Sequence, residues 1–339
     1  MRVFNFGRYA VGLITAAFLF SACTAGGGQT AYNVGPPATT SIQKGSQQSY
    51  MLPRAQVAKQ LLYVSSFYFG RVHVYDYHAQ SEVGEITGLG QPTGQCVDAK
   101  GDVWISQADP HLVVEYPRAS LRQIREVQTF ARPFGCSVSP NGDLAVAEFD
   151  RGSAPGDVEV FKNGSGRGTM YACNGFSYYP NSPGYDDKGN LFVEGLESLQ
   201  QNVTGVCLLP AGGNVLAPVN FGVALHDGGG AMWDGKYMTL ADVELNGGKA
   251  TTTIYQVTIN ASRGLTVAGS TVLANSSLHQ PFILGGKNTP VNVHQGHAVV
   301  GPDNYHVGEW TYPAGVKKGV PFEFYPREIP FGESISIGN

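Results

Sequence analysis

The sequence predicts an all-β chain: one six-bladed β-propeller of four-stranded blades, closed by its C-terminal strand. Three observations predict it. A strand–turn–strand unit recurs with anchor glycines 41, 47 and 46 residues apart. A second, independent marker recurs six times along the same stretch. The composition, with 45 Gly, 17 Tyr and 17 Phe but only 14% charged residues, suits short strands joined by tight turns.

The unit is clearest at Pro92-Thr93-Gly94-Gln95-Cys96-Val97-Asp98, which leads through Gly101 to Val103-Trp104-Ile105. It returns at Pro133-Phe134-Gly135-Cys136-Ser137-Val138-Ser139 with Gly142, and at Pro183-Gly184-Tyr185-Asp186 with Gly189. A degenerate copy carries Gly235, and a weaker one begins at Pro281 and resumes, after an inserted stretch, at His297. Each reads as an apolar strand, a turn whose glycine accepts positive φ, and a second strand of β-branched and aromatic residues.

The second marker is a strand ending in a large apolar residue and a small-residue turn. It occurs at Tyr77, Tyr116, Phe161, Leu209, Ile259 and Tyr312, spaced 39, 45, 48, 50 and 53 residues apart. About 40–50 residues per unit is one four-stranded blade. Blade 1 is a strand short. Strands are expected around 61–64, 72–75 and 83–86, with no Pro-x-Gly strand before them. That strand stands at the other end: Pro330-Phe331-Gly332-Glu333-Ser334-Ile335-Ser336 parallels 133–139. A C-terminal strand over about 331–338 is therefore expected to complete blade 1 and remove a sheet edge.

The N-terminus predicts export. Arg2 and Arg8 precede an apolar run over 10–20, a length that suits a signal peptide and is too short to span a bilayer. Phe20-Ser21-Ala22-Cys23 resembles a bacterial lipobox, with Phe20 where Leu is usual. Residues 1–23 are read as a lipoprotein-type signal with Cys23 the lipidated residue; the alternative is a secretion signal cut near Ala22. Residues 24–55, rich in Gly, Pro, Ser and Gln, read as a disordered polar tether, and 56–339 as the propeller. Thr24 after the cysteine favours the outer membrane by resemblance to diderm lipoproteins. With a net charge of −4 and no Lys/Arg stripe, nucleic acid is excluded as a partner.

The repeats resemble those of the NHL and SMP-30/gluconolactonase-like six-bladed propellers, most closely over 92–103, and the resemblance covers about 61–339. It implies the fold. The lactonases of this kind hold one metal with an inner-strand Glu, an Asn and an Asp. Here Thr93, Phe134 and Pro183 precede the motif glycines. Asp227 before Gly228 matches the Asp, and the Glu and Asn equivalents are not evident.

Ligands of propellers usually meet the face where loops leave the second strand of each blade. Those loops carry Glu148, Asp150, Glu194, Asp242, Glu244 and Asp303. Converging carboxylates could hold Ca²⁺ or another divalent cation, or a cationic ligand. The alternative is that each caps its own turn and faces water. His294 and His297 flank Gln-Gly, which points to a hairpin and excludes a helical zinc motif, so with Asp227 they are weak metal candidates. No cofactor is otherwise predicted. No Gly-x-Ser-x-Gly elbow, Walker loop or dinucleotide fingerprint occurs.

Cys96, Cys136, Cys173 and Cys207 follow Cys23. Cys96 and Cys136 sit one residue out of register on corresponding strands, so buried thiols and a bridge are weighed equally. The aromatic runs Phe67-Tyr68-Phe69 and Phe176-Ser177-Tyr178-Tyr179 are read either as ligand-stacking loops or as packing between blades. The function expected is an exported, membrane-tethered binding module, engaging a protein, peptide or glycan by its loop face. The alternative is a metal-dependent hydrolase or lactonase at the central mouth.

Overall fold

The computed structural model describes residues 48–149, 157–173, 179–198, 203–246, 249–273, 282–284, 298–303, 306–322, 328 and 330–338. Cys23, Asp150, His294, His297 and the run 176–178 lie outside them. The described residues form five four-stranded antiparallel sheets and one five-stranded sheet. Sheet A contains Gln60–Ser66, Arg71–Asp76 and Ser81–Thr87. Sheets B to F follow in chain order, with innermost strands Pro92–Val97, Arg132–Val138, Tyr179–Tyr185, Asp227–Trp233 and Phe282–Leu284. Each of these sheets is a meander of antiparallel neighbours, and the architecture is an all-β propeller of four-stranded blades.

Sheet A is completed from both ends of the body. Pro330–Ile337 pairs antiparallel with Gln60–Ser66, Ile337 facing Gln60 and Glu333 facing Val64. The C-terminal strand is thus innermost, where the repeat echo puts it. Ile335 packs with Leu62, Val64, Tyr75 and Tyr77 of sheet A and with Val307 and Phe322 of sheet F. On the outer edge Tyr50–Met51 pairs with Gly84 and Glu85, and a one-turn helix, Pro53–Val57, follows. Tyr50–Met51 and the start of the helix fall within the stretch 24–55 and have regular structure. Met51, half-buried, packs on the core of sheet A, and Ala55 is fully buried.

Local chemistry accounts for the recurring turns. Asp98 Oδ1 accepts the backbone N–H groups of Lys100 and Asp102, and Asp186 Oδ1 those of Lys188 and Asn190. Gly101, Gly142, Gly189 and Gly235 then take φ of +85°, +86°, +83° and +93°. The glycine inside the Pro-x-Gly motif has a different cause. A Cβ on Gly332 would lie 2.6 Å from the carbonyl oxygen of Thr93, and one on Gly135 would lie 2.9 Å from Cα of Ser182. Innermost strands of adjacent sheets meet at the hub, where there is room only for backbone.

Two disulfides are present, Cys96–Cys136 with an S–S distance of 2.06 Å, and Cys173–Cys207. The offset between Cys96 and Cys136 explains the first. Sheets in a propeller stack face to face, so one pleat face of sheet B looks at the opposite pleat face of sheet C. A one-residue offset turns the two side chains toward each other, where equal register would turn both the same way. Cys173–Cys207 joins sheets C and D within the cluster that holds Val160, Leu191 and Leu209.

Candidate functional site

Three of the loop-face carboxylates are buried. Glu148 and Glu194 are 0% exposed and Asp242 is 3% exposed. Each accepts backbone N–H groups where an innermost strand begins or runs: Glu148 from Ala131, Glu194 from Gly230, and Asp242 from His226 and Asp227. They are built into the frame of the channel mouth. The hydrogen bonds they accept hold the entries of the innermost strands in place. The side chain of Asp303 lies outside the described residues.

Three of the residues expected from sequence do come together. Where sheets D and E meet, Glu194, Asp227 and Asp242 act on one another electrostatically. Burial pushes the Glu194 carboxyl well up; the Gly230 N–H opposes this and the two aspartates add to it. His226 Nδ1 lies 3.0 Å from Asp242 Oδ2, which holds the imidazole pKa above its ordinary value. Thr204 accepts the Gly228 N–H and donates to the His226 carbonyl. Asn181 donates to the Gly228 carbonyl at 2.5 Å. Gly228 has no space for a side chain, since a Cβ would sit 3.1 Å from Asn181 Nδ2 and 3.3 Å from Glu194 Oε2. Glu244 adds a further negative charge acting on His226. Among the described residues no Lys or Arg acts on Glu194 or His226. Sequence reading missed His226, Asn181 and Thr204, which have no repeat position to mark them.

Inside the channel the loop-face end is apolar. Phe331 of sheet A and Phe134 of sheet C meet with ring centroids 5.3 Å apart, although sheet B stands between them in chain order. Rings from sheets that are not neighbours meet across the axis. Phe67 stacks on Phe331 and Phe149 packs edge-on against Phe134. Of the run 67–69, Phe67 is therefore packing, while Tyr68 is 52% exposed.

The other end of the channel, at the Asp-x-x-Gly turns, opens into a cavity of about 120 Å³. Gln95, the Cys96–Cys136 disulfide, Ser182, Trp233 and Glu333 line it. Glu333 is an inner-strand glutamate that sequence reading did not recognise as such. It can be placed only once the C-terminal strand is paired. Glu333, Asn181 and Asp227 are the residue types that the lactonase resemblance implies, all on innermost strands. They do not form one ligand set: burial alone acts on Glu333, and among the described residues no charged group, Asp227 included, acts on it. A metal held by this trio does not fit.

Two other groups among the described residues are dense in metal-ligating atoms, and both are already compensated. His73, Glu82 and Glu85 are joined by Arg71, which pairs with Glu85 at 2.9 Å, and by Glu328, 2.8 Å from His73 Nε2. Asp98, Asp102 and Glu115 are held by turn N–H groups and by Arg125, which grips Glu115.

No family model matches the sequence. NHL-repeat-containing protein 4 of Mus musculus is 31% identical over 84 residues, 24% of this chain; the chain spans 62% of that relative's length. Among solved structures, one from a nidogen/laminin complex is similar with a TM-score of 0.58 at 13% identity, covering 82% of this chain and 98% of the other. Hydrazine synthase of Kuenenia stuttgartiensis is similar with a TM-score of 0.52 at 17% identity, covering 83% and 80%. At such identities the structures speak to fold alone. The chain is a β-propeller of four-stranded blades, similar over a quarter of its length to an NHL-repeat protein.

Proposed function

We propose that this chain is a binding module of the bacterial cell envelope, tethered through a lipid on Cys23 and presenting its loop face to a cationic ligand. In this reading sheet A is the sixth blade of a closed ring, and residues 24 to the start of the body are the tether. The favoured setting is the outer membrane. The observation that carries the reading is the acidic group where sheets D and E meet. Asp227, Asp242 and Glu244 put negative charge at the mouth beside a half-exposed His226, and among the described residues no Lys or Arg acts on that histidine. A basic peptide segment of a protein partner fits such a surface, and a divalent cation such as Ca²⁺ is the smallest ligand that does. The phenylalanine rings packed against one another beneath support recognition at the surface over chemistry in the channel.

Calorimetric titration of the full chain with a lysine-rich peptide and with CaCl₂ tests this. At least one should bind saturably, weaken with added salt, and weaken about tenfold or more in Asp242→Asn. No heat from either at millimolar concentration would reject the loop-face reading. Metal-dependent lactone hydrolysis, lost in Asp227→Asn, would favour the enzyme alternative instead. Fatty-acid labelling that disappears in Cys23→Ser would support the anchor.

A further inference from the structure

We propose that the cavity at the turn end of the channel is a binding site for a small uncharged solute of the primary carboxamide class. This site lies at the opposite end of the channel from the acidic mouth and does not depend on the reading above.

The case rests on two groups that share one cavity. Both carboxyl oxygens of Glu333 are buried without a hydrogen-bond partner. The residue is only 4% exposed and lines the cavity. Trp233 lines the same space, and its Nε1–H is likewise buried without a partner. By contrast Gln95, on the neighbouring strand, is fully engaged: its amide donates to Ser65 and to the Gly332 carbonyl and accepts from Ser334. Buried polar groups are almost always satisfied, and exceptions call for an explanation. A ligand that belongs there is one.

The chemistry of the two groups selects its class. Among the described residues no charged group acts on Glu333, and burial drives its pKa well above the usual carboxyl range. The group is then an uncharged acid, offering one O–H donor and one carbonyl acceptor. A bare metal ion would find one carboxyl where it needs several ligands. An anion would find no counter-charge. A primary amide answers every open position. Its oxygen, with two lone pairs, accepts from the Glu333 O–H and the Trp233 N–H, and its N–H donates back to the Glu333 carbonyl. A cavity of about 120 Å³ has room for it. The disulfide, Val97 and Met232 give an apolar wall for its alkyl part.

The test uses the full chain with acetamide, acetate and methylammonium as probes, followed by saturation-transfer NMR and by tryptophan fluorescence. Acetamide should saturate with a Kd on the order of millimolar, consistent with what so few atoms can deliver. The two ions should not bind. Glu333→Leu should weaken acetamide about tenfold or more, and Trp233→Phe severalfold, from the loss of buried hydrogen bonds. Circular dichroism checks that each variant folds; should Glu333→Leu not fold, Trp233→Phe decides alone. Absence of saturation, meaning that the cavity holds water only, would overturn the proposal. So would equal binding of the ions, or acetamide binding that neither variant weakens.

Discussion

A carboxyl group buried without a counter-charge ties stability to pH, and two among the described residues do so. Glu194 and Glu333 both hold their protons well above the ordinary value of 4.5. Their folded forms keep a proton that the unfolded chain releases, so the stability they contribute is complete below that value and is lost as pH rises through the folded pKa. Glu194→Gln should therefore flatten the decline of stability as pH rises above 4.5, by up to about 1.4 kcal/mol per pH unit. Urea unfolding at several pH values measures this, and parallel slopes for variant and parent would contradict it. His73 acts in the same direction for a different reason. Burial pulls its pKa down, but Glu328 and Glu82 outweigh that and hold it above 6.5. Its contribution is complete below 6.5 and fades at higher pH. The Glu82 and Glu328 carboxyls are held low against their own burial by His73, so their share appears above 4.5 and is lost in acid. The Arg71–His73–Glu328 cluster should be strongest between these limits.

At the scale of elements, the C-terminal strand carries more than its eight residues imply. Pro330–Ile337 supplies the innermost strand of sheet A, the ring of Phe331 on the axis, and Ile335 in the core shared with sheet F. Ser334 and Gly332 also bond Gln95 of sheet B. Deleting 330–339 should lower Tm by roughly 10 °C or more, because it exposes an edge on sheet A and opens the core beside it. A truncated chain that melts like its parent would show that the strand does not hold the body together. The same element explains a limit of sequence reading. The Pro330–Ser336 echo identified the strand, yet Glu333 could not be seen as an inner-strand glutamate until pairing set it beside strands that lie more than 200 residues earlier.

Across the whole molecule, the two disulfides tie neighbouring sheets, B to C and C to D. Replacing Cys96 and Cys136 together by alanine should cost about 2–4 kcal/mol, seen as a lower unfolding midpoint with the fold retained. Thiol titration of the denatured, unreduced chain should find none of Cys96, Cys136, Cys173 or Cys207 free. What the sequence by itself determined is the repeating part: strands, turn glycines, blade-sized spacing and a closing C-terminal strand. These follow from local rules, in which period-two alternation makes strands and an Asp-x-x-Gly run makes turns. The tertiary structure alone decided which face each side chain meets. It turned Cys96 toward Cys136, drew Glu194 and Asp242 under cover, set Phe134 against Phe331 on the axis, and left Glu333 and Trp233 around a cavity. Those outcomes depend on how sheets stack around a hub. That stacking is a long-range relation that no window of neighbouring residues contains.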